Sequence, residues 1–143
     1  MTTMGPKARG LSLYAHFGTS KHASALTTLY FGLFDGDPFG TGTEPTSANA
    51  YGRAVVNNNS ALWSAFPATA VSISTVSDIV WPACTGAWKG GAVLTWWGVM
   101  STSTLGAGDL WYADVIPDGG FVVNTAGQQP RILAGGLTFI QGG

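Results

Sequence analysis

Charge is the scarcest property of this 143-residue sequence: Asp, Glu, Lys and Arg make up 9% of it, against roughly 25% in an ordinary globular protein. Six basic and seven acidic residues give a net charge of −1, so the phosphate attraction that drives nucleic-acid binding has almost nothing to act through. Cysteine is nearly missing as well. Cys84 stands alone, which excludes a disulfide framework within the chain. No stretch approaches the roughly 18 consecutive apolar residues of a membrane helix, and the opening Met1–Gly10 lacks the apolar run of a secretion signal. No membrane partner is expected, and synthesis in a cytosol is. Helical periodicity is the last absence: only Leu11–Phe17, closed by Gly18, reads as a short helix.

What the sequence has in quantity is aromatic residues and turn formers. Six Trp, seven Phe and four Tyr, within 45% hydrophobic residues, are the opposite of a disordered composition. A chain of this length buries roughly two-thirds of the surface its unfolded form exposes, so a core can form without metal or disulfide. A folded chain this poor in charge lacks what keeps an ordinary protein dispersed. Much of its surface is therefore expected to be covered by other protein, in a homo-oligomer or a larger assembly.

Short β-rich runs at 27–34, 51–57, 70–76, 78–82, 92–100, 109–116, 120–124 and 131–140 are separated by Gly, Pro, Asn, Asp and Ser clusters. That spacing predicts an all-β protein, an antiparallel β-sandwich of jelly-roll or immunoglobulin-like kind. A short N-terminal helix and arm occupy residues 1–26, and the β-sandwich domain occupies 27–143. Met1–Gly10 cannot form core by itself and is expected to lie on another chain.

Two of these runs are apolar on both faces. In Val93–Met100, alternation sends Leu94, Trp96 and Met100 one way and Val93, Trp97 and Val99 the other. In Thr28–Phe34, Leu29, Phe31 and Leu33 oppose Tyr30 and Phe34. A sheet with one wet face should alternate apolar with polar, so these strands need a cover on both sides. The cover is either a loop or terminus of the same chain or a neighbouring subunit. On the second reading Trp97, Val93, Val99, Tyr30 and Phe34 are the candidate interface.

Catalytic chemistry finds little to use. No Gly-x-Ser-x-Gly elbow, His-Glu-x-x-His or Cys-x-x-Cys occurs, and no glycine loop of phosphate-binding spacing. His16 and His22 do not share a helix face, and Cys84 follows Trp81-Pro82-Ala83 as a small buried hydrophobe would. Asp35, Asp37 and Glu44 fall in one Gly-rich loop that could supply oxygens to a hard cation, but Phe39 interrupts the ligand pattern, and Asp and Gly are ordinary turn residues. The expectation is no enzyme, no cofactor and no metal.

Leu29-Tyr30-Phe31-Gly32-Leu33-Phe34-Asp35-Gly36-Asp37-Pro38, then Gly42-Thr43-Glu44 and Tyr51-Gly52-Arg53-Ala54-Val55-Val56, resemble a family of small tailed-phage virion proteins. Its pattern is an LYVALFTADP strand, a GTE loop and a YARVAV strand. Ile79–Ala83, Gly86-Ala87-Trp88, Val93–Met100, Leu110–Ala113 and Gly135–Ile140 continue the likeness in order, so it covers about residues 27–140. Even Leu11–Gly18 looks like the short helix that opens many members. Trp88-Lys89-Gly90-Gly91 departs from the family's Trp-Gly-Thr turn, and Trp81 stands where the pattern has Phe.

The resemblance implies an all-β structural module of the virion without catalytic residues, made in a bacterial host. Members are commonly labelled tail fibre proteins, while small β subunits of such particles also serve as capsid decoration or cement. The chain has neither the length nor the repeats of a fibre shaft. The expected role is a cement subunit on the capsid outer surface that bridges major capsid proteins. The alternative is a tail-fibre-associated or baseplate subunit, structural or receptor-binding, with tail proteins as partners.

Overall fold

A computed structural model of the chain describes residues 3–4, 26–64 and 72–140. The expected helix at Leu11–Gly18 and most of the 1–26 arm lie outside the described residues. Within them the protein is mostly β, with antiparallel pairings throughout and no α-helix. The strands are β1 (Thr3–Met4), β2 (Thr28–Phe34), β3 (Ala54–Asn57), β4 (Ser72–Ser74), β5 (Ile79–Val80) and β6 (Val93–Leu94). They continue as β7 (Trp96–Met100), β8 (Leu110–Val115), β9 (Phe121–Val122), β10 (Arg131–Ile132) and β11 (Thr138–Ile140). A five-stranded sheet has the order β1-β8-β7-β2-β3, and β10-β5, β11-β4 and β6-β9 form two-stranded ribbons.

Two expected runs are broken. The 92–100 run divides at Thr95, whose N–H donates to Phe34 O while its carbonyl accepts from Ile116 N. Those bonds lead the chain out of the ribbon with β9 and into the large sheet. The 131–140 run divides at a turn in which Gly135 N–H donates to Thr75 O and Gly136 N–H to Leu133 O. Apolar alternation on both sides hides such breaks, because the side-chain pattern resumes after them.

Register decides which of the two apolar faces is the core. Leu33 lies opposite Trp97, Phe31 opposite Val99, and Val99 opposite Tyr112. Residues directly opposite in an antiparallel pair share a face, so Phe31, Leu33, Trp97, Val99 and Tyr112 form one inward layer, and all are buried. Phe139 of β11 meets that layer from the other side. Its ring stands edge-on to Trp63, Trp97 and Tyr112, with centroids 5.3, 5.3 and 5.5 Å away, within the range where aromatic pairs attract.

Indole N–H groups fasten the loops to this core. Trp81 Nε1 donates to Phe31 O at 2.8 Å, Trp88 Nε1 to Asn49 O at 2.9 Å, and Trp63 Nε1 to Asn58 Oδ1 at 2.8 Å. At position 81 the resembling pattern has Phe, which could fill the space but could not donate. At position 89, where that pattern has Gly, Lys89 sits at φ 49°. A left-handed backbone costs a non-glycine residue about 1–2 kcal/mol. Lys89 Nζ offsets part of that cost by pairing with Asp35 Oδ2 at 2.5 Å and contacting Thr43 Oγ1.

Candidate functional site: the outer face of the large sheet

The opposite face of β2 and β7 carries Tyr30 opposite Met100, Gly32 opposite Gly98, and Phe34 opposite Trp96. The two glycines make a shallow trough across the sheet. A Cβ on Gly32 would come within 2.5 Å of Glu44 Oε1, and one on Gly98 within 3.0 Å of the Phe34 ring. Glycine in a strand interior is therefore required here by close approach: the loop after β2 folds back and lays Glu44 into the trough.

Glu44 is held there by three hydrogen bonds from two residues. Arg53 meets it in bidentate fashion, Nε to Oε1 at 3.0 Å and Nη2 to Oε2 at 2.6 Å, and the two side chains are 1% and 9% exposed. The Tyr51 hydroxyl donates to Glu44 Oε1 at 2.9 Å and accepts from Leu33 N–H at 2.9 Å. Arg53 Nη1 then crosses to the connection between β7 and β8, donating to Thr102 O at 2.6 Å and Ala107 O at 3.1 Å. One guanidinium thus ties two loops together above the sheet. Burial, followed by the Glu44 carboxylate beside it, pushes the Tyr51 hydroxyl far above its ordinary pKa of 10.0.

Between these loops lies an open cleft of about 700 Å³ whose apolar lining includes Phe34, Met100 and Leu105. Its charged groups, Glu44 and Arg53, are already committed to one another, so the cleft offers shape and apolar surface rather than acid–base chemistry. The other loop carboxylates are likewise committed. Asp35 accepts from Lys89 Nζ and from Thr43 N–H, which hold its carboxyl below the ordinary 3.8. Asp37 Oδ1 accepts from Phe39 N–H at 2.9 Å in a local turn. Asp35, Asp37 and Glu44 therefore serve three separate sets of structural bonds. Cys84 is buried, with its thiol donating to Thr125 O at 3.0 Å. His16 and His22 lie outside the described residues.

Four of the five candidate interface residues divide between the two faces of the large sheet, and the fifth, Val93, lies on the β6-β9 ribbon. Trp97 and Val99 belong to the inward layer, 2% and 1% exposed, and the chain's own Phe31 and Phe139 cover Trp97. Tyr30 and Phe34 share the outer face, where Phe34 forms cleft lining and Tyr30 is half-buried. Val93 is 44% exposed and stands opposite Val122, itself 45% exposed. Of the five, Val93 presents the most surface to a neighbour. Sequence reasoning took Glu44 for a loop carboxylate and assigned Tyr51 and Arg53 no role. The available signal was Gly32 inside an otherwise bulky apolar strand.

In this antiparallel β body the buried Glu44–Arg53 pair and the indole N–H groups fasten loops, while Val93, Val115, Val122 and Leu133 are left exposed, an arrangement that suits a structural subunit. Its family is shown by comparison with known proteins: residues 11–139 match the family described as podophage GP4 fiber I protein gp80, and the chain belongs to that family. It is a phage tail fibre structural protein, which implies a non-enzymatic role and association with other virion proteins. No curated protein and no solved structure matches it. The expectation of a capsid cement subunit gives way here. Its basis was the missing shaft and repeats, and the match of this 143-residue chain to a fibre protein family means that chain length does not separate the two roles.

Proposed function

We propose that the chain is a non-enzymatic building block of a tail fibre assembly, joined to copies of itself and to other tail proteins through apolar surface. Membership of the fibre protein family over residues 11–139 carries this reading. The half-exposed Val93–Val122 pair on the β6-β9 ribbon and the cleft beside Phe34 are its contact surfaces. In the same reading the three ribbons act together as a second layer over the five-stranded sheet, in the manner of a sandwich. Apolar contacts of this kind contribute roughly 25 cal/mol per Å² buried, before the cost of association.

Localisation on the particle tests the proposal. Virions carrying an epitope on this chain, labelled with gold-conjugated antibody and counted by quantitative mass spectrometry, are expected to show label at the tail and a small copy number. Label spread over the capsid with hundreds of copies would overturn it.

A further inference from the structure

We propose that β1 is exchanged between copies of this chain: the Thr3–Met4 strand of one copy adds to the β8 edge of its neighbour. Three observations carry the inference. In the large sheet Thr3 pairs with Ala113 and Met4 with Tyr112, so this short segment closes the edge that the sheet would otherwise present for association.

The second observation is the length of chain behind it. Following the registers across, Met4 lies opposite Tyr112, then Val99, then Phe31. Three inter-strand spacings and three residues along β2 separate it from Thr28, a gap of about 17 Å. Successive pairings are antiparallel, so β1 leaves the sheet at the end where β2 enters it. Roughly six residues would close that gap. The sequence has residues 5–27 there, enough to reach about 80 Å when extended. The surplus lets the same pairing form on a neighbour without any new contact, which is what makes strand exchange a low-cost route to oligomers.

The third is charge. Residues 1–25 hold Lys7, Arg9 and Lys21 and no acidic residue, whereas residues 26–143 hold three basic and all seven acidic residues, a formal +3 against −4. The three basic residues of the body, Arg53, Lys89 and Arg131, already stand within ion-pair distance of acidic partners. Asp109 and Asp114 adjoin or belong to the accepting strand. A basic arm and an acidic body attract across copies as well as within one.

The test uses the purified full chain, so exchange can fail while the fibre placement stands. In a Cys84→Ser background, chains carrying only Thr3→Cys are mixed during refolding with chains carrying only Ala113→Cys and then oxidised. A disulfide between them can form only across chains. The expected product on a non-reducing gel is a linked dimer, absent when Thr3→Cys chains are oxidised alone. The inference is overturned if no linked dimer forms, whether or not the double variant Thr3→Cys, Ala113→Cys closes within a single chain.

Because a cysteine at 113 adds volume beside Gly98, sedimentation gives a second reading. The Thr3→Pro, Met4→Pro variant removes both β1 N–H donors. It is expected to sediment as a monomer, with the unaltered chain an oligomer that weakens as salt rises. A monomeric unaltered chain, or a variant that keeps the oligomeric mass, overturns the exchange.

Discussion

Tyr51 takes the place of a missing strand beside Leu33. β3 pairs with β2 only as far as Phe31, and at Leu33 the Tyr51 hydroxyl accepts the N–H that a longer β3 would have taken. The same hydroxyl donates its own hydrogen bond to Glu44, so the end of the sheet and the loop above it are held by one oxygen. Tyr51→Phe leaves the Leu33 donor and one carboxylate position short, and is expected to lower stability by about 1–3 kcal/mol in urea unfolding.

The same side chain gives an alkaline signature. Its folded pKa is raised, so its contribution is fully present below the ordinary value of 10.0 and declines as the unfolded chain ionises above it. Burial raises Tyr112 in the same sense. Unfolding midpoints measured from pH 8 to pH 11 should therefore fall toward the alkaline end, less steeply in Tyr51→Phe but not flat.

Removing either partner of the Glu44–Arg53 pair leaves a buried charge alone. Glu44→Leu and Arg53→Leu are each expected to cost about 3–5 kcal/mol. The double variant should lose less than the sum, by a coupling of about 0.5–3 kcal/mol. Strictly additive losses in denaturant titrations would mean that the two loops stand independently.

At the acid end Asp35 is the reporter. Its carboxyl is depressed, chiefly by the hydrogen bond from Lys89. Its stabilisation is thus present above the ordinary carboxylate value and is lost as pH falls through the depressed one. Lys89→Gly relaxes a left-handed backbone while removing that bond. The variant should show a flatter acid limb in unfolding midpoints between pH 5 and pH 2, with little change at neutral pH.

Assembly and folding separate between the β6-β9 ribbon and the inward layer of the large sheet. Val93→Ser should leave the thermal transition of the purified chain within about 0.5 kcal/mol of the unaltered protein while reducing incorporation into particles in a complementation assay. Trp97→Ala opens the core and is expected to cost about 3–5 kcal/mol. Equal incorporation of Val93→Ser would remove the β6-β9 ribbon from the contact surface.

Strand positions were legible in the sequence because alternation and turn residues are local signals. Alternation alone assigns Leu29, Phe31 and Leu33 to one face. It does not say which face is inward. Both sides of β2 and β7 are apolar, and only the pairing of Leu33 with Trp97 and the arrival of Phe139 decide it. The Glu44–Arg53–Tyr51 clamp was hidden for a related reason. Its members are spaced along a loop, and their meeting depends on Gly32 and Gly98 leaving a trough for the carboxylate. Lys89 and Trp81 were visible as departures from the family's pattern, but their bonds to Asp35 and Phe31 join segments about fifty residues apart.

Phe139 sets a condition on biosynthesis. Three aromatic rings of the core close around a residue translated long after β2, β7 and β8, and non-local contacts of this kind reward the chain only once both ends are present. While position 139 is still inside the ribosome, Trp63, Trp97 and Tyr112 have no common partner. Core closure therefore waits for β11, and a nascent chain stalled short of it leaves those rings open to premature association.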